Sequence, residues 1–143
     1  MTARSYRGSC HCGRYAVVFS SALGPEAFTP RADQCGFCRK HNQAAISDPA
    51  GDVEIMLPAD APPPYRFGLG ITDFHVCDRC GVFVAASWSD DDALYAVVNY
   101  RALDDLAAFT QAPVAIDFEG EDLAAREARR RKGWTPARIR KGA

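Results

Sequence analysis

The sequence lacks an apolar run near its beginning that could serve as a signal peptide or membrane anchor, because residues 1–10 are mostly polar or small. We therefore expect a cytoplasmic protein without a membrane partner. Thiols stay reduced in the cytosol, so close cysteine pairs there are metal ligands or redox groups far more often than structural disulfides. The six cysteines of this chain are thus expected to be reduced.

The sequence also lacks an excess of charge of either sign. Lys and Arg number 17 against 18 Asp and Glu, and the net charge is -1. Dedicated nucleic-acid binders usually have a strongly basic balance, so this composition argues against a nucleic-acid partner. The oligomeric state stays open, with a homodimer as one option.

Long helical patterns are scarce in the first hundred residues, where β-branched and aromatic residues dominate instead. A length of 143 residues suits one domain. We predict a mainly β fold, with short strands interrupted by prolines and glycines. The expected strands cover residues 6–20 (strand, turn, strand), 45–46, 53–57, 65–68, 73–86 (strand, turn, strand) and 94–99.

The last third of the sequence changes character. Residues 104–109 and 121–132 have helical composition, and the second segment begins acidic and ends basic, which suits the helix dipole. A short helical turn is also expected within residues 36–43. Residues 134–143 look like a weakly ordered basic tail. The predicted organisation is one β-rich domain over residues 1–133 followed by the tail 134–143.

The cysteines form three close pairs, and two of these pairs are matched. A glycine follows Cys12 and another follows Cys80, as a tight turn requires when backbone N–H groups curl back towards a metal-bound sulfur. Each turn lies on a predicted hairpin. Four thiolates make a closed tetrahedral site, so we predict a structural zinc held by Cys10, Cys12, Cys77 and Cys80.

The middle pair has a different setting. Cys38 is followed by Arg39 and Lys40, two cations that favour thiolate over thiol. No fourth cysteine is left to join Cys35 and Cys38, but Asp33 stands two residues earlier. Three protein ligands with an open fourth position are typical of a catalytic zinc. We predict a second, catalytic zinc site here, conditional on the carboxylate binding the metal.

These motifs resemble those of the glutathione-dependent formaldehyde-activating enzymes, grouped with the centromere protein V type proteins. The resemblance spans residues 7–120, most of the chain, and three cysteine motifs in one order are a specific signal. It rests on residues 8–13, 35–40, 65–68 and 74–81, and more loosely on 99–103 and 117–120.

The resemblance implies an Mss4-like fold, in which small antiparallel sheets surround a structural zinc, here with short C-terminal helices. It also implies a carbon–sulfur lyase that condenses formaldehyde or another small aldehyde with glutathione or another thiol. Similar proteins carry a second zinc on a C-x-C-x-x-C motif. Asp33 occupies the first position of that motif here, while Cys35 and Cys38 match and would be the catalytic residues. Arg39 and Lys40 would bind a substrate carboxylate.

Each prediction has a plainer alternative. The outer cysteines could be four buried thiols, and the middle group a vacant or disulfide-bonded remnant. A thioredoxin-like role for the middle pair is disfavoured because the surrounding sequence lacks a βαβ pattern. Among the histidines, His41 is the one expected to come near the open site, whereas His11 should face solvent and His75 should pack beside the second outer turn.

The competing function is non-enzymatic, so enzymatic activity is not fixed by the sequence. In that alternative the chain is a zinc-ribbon-like binding module with a degenerate second metal site, and its basic end binds a partner.

Overall fold

The structure is a computed structural model that describes residues 3–142. The mainly β prediction is confirmed: ten strands and two α-helices occur in these residues. The helices are α1, Gly36–Lys40, and α2, Leu123–Gly133. The strands are β1 Arg4–Ser9, β2 Ala16–Ser21, β3 Arg31–Asp33, β4 Ala45–Ile46, β5 Asp52–Leu57, β6 Asp73–Val76, β7 Phe83–Asp90, β8 Ala93–Asn99, β9 Val114–Ile116 and β10 Thr135–Lys141.

The strands form one curled, mixed sheet. Its order is β1-β2-β5-β10-β8-β4-β3-β9, with β7 also paired to β8 and β6 to β7. The expected hairpins β1/β2 and β6/β7 are antiparallel. Two pairs depart from a purely antiparallel arrangement, since β10 runs parallel to β5 and β3 runs parallel to β9.

The core lies where alternating side chains of the strands face inwards. In β2 and β5 every second residue is buried, as a sheet with one covered face requires. In β7, by contrast, six consecutive residues are buried, because both faces of that strand are covered. One aromatic group in this core joins Phe19, Phe28 and Phe109 through Tyr6.

The prediction of a weakly ordered basic tail after residue 133 is wrong for the described residues. Thr135–Lys141 forms β10, which lies between β5 and β8. Small and apolar residues such as Thr135 and Ile139 alternate here with exposed basic ones, which is the period of a strand. Arg138 then pairs with Asp52 and Glu54 on β5. Ala143, the last residue of the predicted tail, lies outside the described part.

Several other local predictions need correction. Residues 65–68 make only an isolated bridge between Tyr65 and Phe74, because Gly68 and Gly70 have positive φ and turn the chain away. The segment 104–109 contains a single 3-10 turn, Leu106–Ala108, in place of a helix. The short strands β3 and β9 were not predicted.

The longer helix agrees with its prediction to within two residues. Asp122 caps α2, its carboxylate accepting a 2.8 Å bond from the N–H of Ala125. The basic residues Arg130, Arg131 and Lys132 occupy its last turn. No helix among residues 3–142 is long and apolar enough to cross a membrane.

Candidate metal sites and the adjoining cavity

The two outer cysteine turns have the same backbone design. Gly13 has a φ of 83° and donates its N–H to the carbonyl of Cys10 at 3.1 Å. Gly81 has a φ of 82° and donates to the carbonyl of Cys77 at 2.9 Å. Left-handed backbone of this kind favours glycine. The glycine that follows each cysteine pair in the sequence therefore indicates a turn with this conformation.

These turns bring four sulfur atoms together. The ligand atoms of Cys10, Cys12, Cys77 and Cys80 all lie within 4.8 Å of one another. The Sγ atom of Cys12 is 3.7 Å from that of Cys10 and 3.6 Å from that of Cys77. In a tetrahedral zinc–thiolate site neighbouring sulfurs lie about 3.8 Å apart. The group can therefore hold a metal ion with four sulfur ligands.

Backbone N–H groups point at these sulfurs and favour their charged form. The N–H of Tyr15 donates to Cys10 Sγ at 3.2 Å, and the N–H groups of Arg79 and Cys80 each donate to Cys77 Sγ at 3.4 Å. Burial alone would raise the pKa of Cys80, but donors from Cys12, Val82 and the neighbouring thiols outweigh it and lower that pKa to about 6. Burial raises the pKa of Cys10 to about 11.

An ion pair ties the two turns together on their outer side. Arg14, next to the first turn, donates to Asp78 in the second turn at 2.8 Å, and it also pairs with Asp60 at 3.0 Å. Sequence reasoning missed this contact, because nothing in the spacing of Arg14 and Asp78 marks them as partners.

The middle group also comes together. The ligand atoms of Asp33, Cys35 and Cys38 lie within 4.8 Å of one another, and no fourth His, Cys, Asp or Glu of residues 3–142 joins this group. Asp33 ends β3 and accepts the N–H of Cys35 at 2.9 Å. Cys35 caps α1, its sulfur accepting the N–H of Cys38 at 3.3 Å. Two sulfurs and a carboxylate can hold a metal ion and leave one position open.

The two thiols of the middle group differ in protonation. The side chain of Cys38 donates to Cys35, which together with backbone donors lowers the pKa of Cys35 to about 7. The same contact and burial raise the pKa of Cys38. Gln43 further donates its amide N–H to Cys38 Sγ at 3.2 Å, and its own Oε1 is buried without a partner in the described chain. Cys35 is therefore the more readily ionised thiol.

The middle group opens into a cavity of about 500 Å³. The cavity combines an apolar wall with a basic one. Apolar side chains come from the strands and the loop before β6, and the basic ones come largely from α2. The apolar wall includes Phe67, Phe74, Phe83, Val97 and Trp134, and the basic wall consists of Arg31, Arg39, Arg126, Arg129 and Arg130.

Of the two side chains predicted to bind substrate, one lines the cavity and the other does not. Arg39 lines the cavity and donates to the carbonyl of Gln34 at 3.1 Å. Lys40 is exposed and, in the described chain, is not part of the cavity wall. The arginines of α2 were missed as cavity residues, because a basic run on a helix normally indicates a solvated face.

The histidines take largely structural positions. The ring of His41 packs against that of Phe37 in a tilted arrangement with centroids 4.4 Å apart, and within the described residues it is not part of the cavity wall. His75 is buried on β6 and shares a 2.7 Å hydrogen bond with the hydroxyl of Ser87, and burial lowers its pKa to about 4. His11 is exposed on the first turn.

No protein-family model matches the sequence, and no curated protein matches it. The fold is similar to that of a Rhodobacter sphaeroides protein whose crystal structure was determined as a structural genomics target. The two share 21% sequence identity with a TM-score of 0.56, over 77% of this chain and 99% of the other. At that identity the likeness concerns the fold alone.

Proposed function

We propose that this protein is a zinc-dependent carbon–sulfur lyase that joins a small aldehyde to a thiol such as glutathione. Zinc held by Cys10, Cys12, Cys77 and Cys80 would be structural, and zinc held by Asp33, Cys35 and Cys38 would be catalytic. The observation that carries the proposal is the contrast between the two groups. The outer group has four sulfurs, whereas the middle group has three ligand atoms and faces the cavity.

The ligand chemistry supports zinc at both positions. Thiolate ligands in tetrahedral spacing favour zinc over the harder magnesium and calcium ions, which prefer oxygen. The resemblance of the three cysteine motifs to the glutathione-dependent formaldehyde-activating family supports a thiol substrate. Asp33 in place of a cysteine would weaken zinc binding and strengthen the Lewis acidity of the metal.

The side chains around the middle group suit addition of a thiol to an aldehyde. In that reaction a sulfur–carbon bond forms and the carbonyl oxygen takes up a proton, giving a hemithioacetal. A zinc ion there would favour the thiolate form of the attacking thiol. Gln43 holds Cys38 in place, and Phe74 and Phe83 make the neighbouring wall apolar. Arg39 can bind a carboxylate of the thiol substrate.

The proposal is tested with Cys38→Ser. The wild type should bind two zinc ions per chain and accelerate exchange between formaldehyde and its glutathione adduct, measured by NMR exchange spectroscopy. Cys38→Ser should bind one zinc ion, remain folded with a cooperative thermal transition, and lose the acceleration. A wild type with one zinc ion per chain, or a variant with undiminished exchange, would contradict the proposal.

The alternative of a non-catalytic binding module has less support. It relied on a free basic end, but that segment is strand β10, and its Arg138 forms exposed ion pairs with Asp52 and Glu54 of the neighbouring strand β5. The arginines of α2 that line the cavity instead suit a small ligand.

A further inference from the structure

Arg130 is unusual for an arginine because the residue is only 6% exposed. It lies over the ring of Trp134 at 4.4 Å and near that of Trp88 at 5.9 Å. Its Nε and Nη1 atoms have no hydrogen-bond partner, and within residues 3–142 it forms no ion pair. The carboxylates of Asp33 and Glu121 act on this charge only from a distance, and Asp117 and Glu119 line the same cavity without pairing with it. A buried charge without a directly bound partner is costly, so this position favours an anionic ligand that can reach the free N–H groups.

The other arginines that line the cavity differ in whether they form an ion pair. Arg129 pairs with Glu121 at 2.9 Å and lies over the ring of Phe118 at 3.6 Å, so its guanidinium group has partners within the chain. Arg126 pairs with the same glutamate at 3.3 Å. Arg31 resembles Arg130 in having no ion pair within residues 3–142, but its side chain donates to a neutral group, the hydroxyl of Ser47, at 2.8 Å. Arg31, Arg39 and Arg130 thus line the cavity without an ion pair in residues 3–142, and of these three Arg39 is exposed to solvent whereas Arg31 and Arg130 are not.

We propose that Arg130, together with Arg31, forms an anion site in the cavity that binds the carboxylate of a small organic molecule. Guanidinium groups bind carboxylates through charge-assisted hydrogen bonds. Burial, Arg129 and Arg126 lower the pKa of Arg130 to about 10, so it remains charged at neutral pH. The unpartnered Oε1 of Gln43 adds a place for an N–H or O–H group of the same ligand.

This site rests on the proposed function for the class of its ligand, and it adds to Arg39 a second, buried position that can bind a substrate carboxylate. Arg31 and Arg130 line the same cavity as Cys35 and Cys38. A molecule whose carboxylate is bound by Arg130 would lie with its body against Trp134 and Phe83, and its reactive end would be free to extend towards the thiols. Carboxylate binding itself needs no thiol chemistry, so the two proposals can fail separately.

The test uses propionate and its uncharged analogue propionamide, at matched ionic strength, with saturation-transfer NMR and thermal melting. The wild type should bind propionate saturably and propionamide far more weakly. Arg130→Met should bind propionate about tenfold less tightly or worse, because a charge-assisted hydrogen bond is lost. Arg131→Met is the matched control: Arg131 lies on the same helix but pairs with Asp90 and is exposed, so binding should not change.

Further measurements separate binding from folding and from catalysis. Arg130→Met should melt at or above the wild-type temperature without ligand, since an unpaired buried charge is removed. Should it fail to fold, Arg130→Lys serves instead and should bind propionate more weakly than the wild type. Cys38→Ser should still bind propionate. Equal binding by wild type and Arg130→Met, equal binding of propionamide, or phosphate bound as tightly as propionate would overturn the assignment.

Discussion

At the scale of single residues, Gly13 and Gly81 show what the cysteine turns require. A Cβ atom added at either position would meet no atom within 4 Å, so nothing steric excludes alanine there. The requirement is conformational, because both glycines have φ values above 80°. In a residue with a Cβ atom this conformation is strained, because the Cβ atom comes too close to the following carbonyl oxygen.

Gly81→Ala should therefore lower the free energy of unfolding by about 1–2 kcal/mol. The measurement is urea unfolding of the zinc-loaded protein, followed by circular dichroism. Gly133→Ala is the matched control, since Gly133 lies within α2 and a Cβ there also meets nothing within 4 Å. The control should be neutral or slightly stabilising. Similar losses in both variants would contradict the conformational explanation.

The residues of the outer site could be predicted from the sequence because their signal is local. Spacing and the following glycine identify each cysteine turn without knowledge of the rest of the fold. Arg130 could not be identified in this way. It belongs to a basic run that has the composition of a solvated face, and it lies over Trp134, the C-cap of its own helix, and near Trp88 on β7, which is distant in sequence.

At the scale of elements, β10 holds two parts of the sheet together. Ala137 is paired with Val53 on β5, and Thr135 is paired with Ala96 on β8. Thr135 is fully buried, and it accepts the N–H of Asp48 through its hydroxyl at 2.7 Å. The strand is thus part of the structural core although most of its side chains are basic or exposed.

A chain that ends at Trp134 should lose its cooperative thermal transition, because β5 and β8 lose a hydrogen-bonded neighbour. A chain that ends at Lys141 keeps β10 and should melt close to the full chain. Differential scanning calorimetry of both forms gives the comparison. A sharp transition in the shorter form would mean that β10 is dispensable. If the shorter form also failed to bind a partner, the failure could be explained by unfolding alone and would not show that the removed residues contact the partner.

The elements that could be predicted from the sequence are those with a distinctive local pattern of residues. The hairpins β1/β2 and β6/β7 have β-branched or aromatic residues on both sides of a cysteine turn, and α2 has an acidic N-cap and a basic last turn. The strands β3 and β9 have only three residues each and pair in parallel with one another across a long stretch of sequence. Such pairing depends on the completed fold, which local propensity does not encode.

At the scale of the whole molecule, the outer cysteines join distant parts of the chain. Cys12 and Cys77 are 65 positions apart, and the middle group by contrast lies between Asp33 and Cys38. A cross-link that closes a loop of this length removes about 4 kcal/mol of chain entropy from the unfolded state, by the model used for disulfides. The middle group closes too short a loop to have this effect.

Removal of metal should therefore lower the melting temperature strongly, and Cys12→Ser should reproduce most of that loss. Cys12 is exposed, so the serine adds no buried polar group. Cys35→Ser is the control and should melt within a few degrees of the wild type. Thermal melting with and without a chelator tests all three proteins. Equal melting of Cys12→Ser and the wild type would show that the outer group does not stabilise the fold through a metal.

The position of β10 between β5 and β8 also bears on how the protein is made. A ribosome releases the strands in sequence order, so a nascent chain exposed up to Trp134 already has β5 and β8 but lacks the strand that separates them. Their unpaired edges are then open to strands of other chains. We therefore expect a nascent chain that has exposed β5 and β8 but not yet β10 to be prone to association.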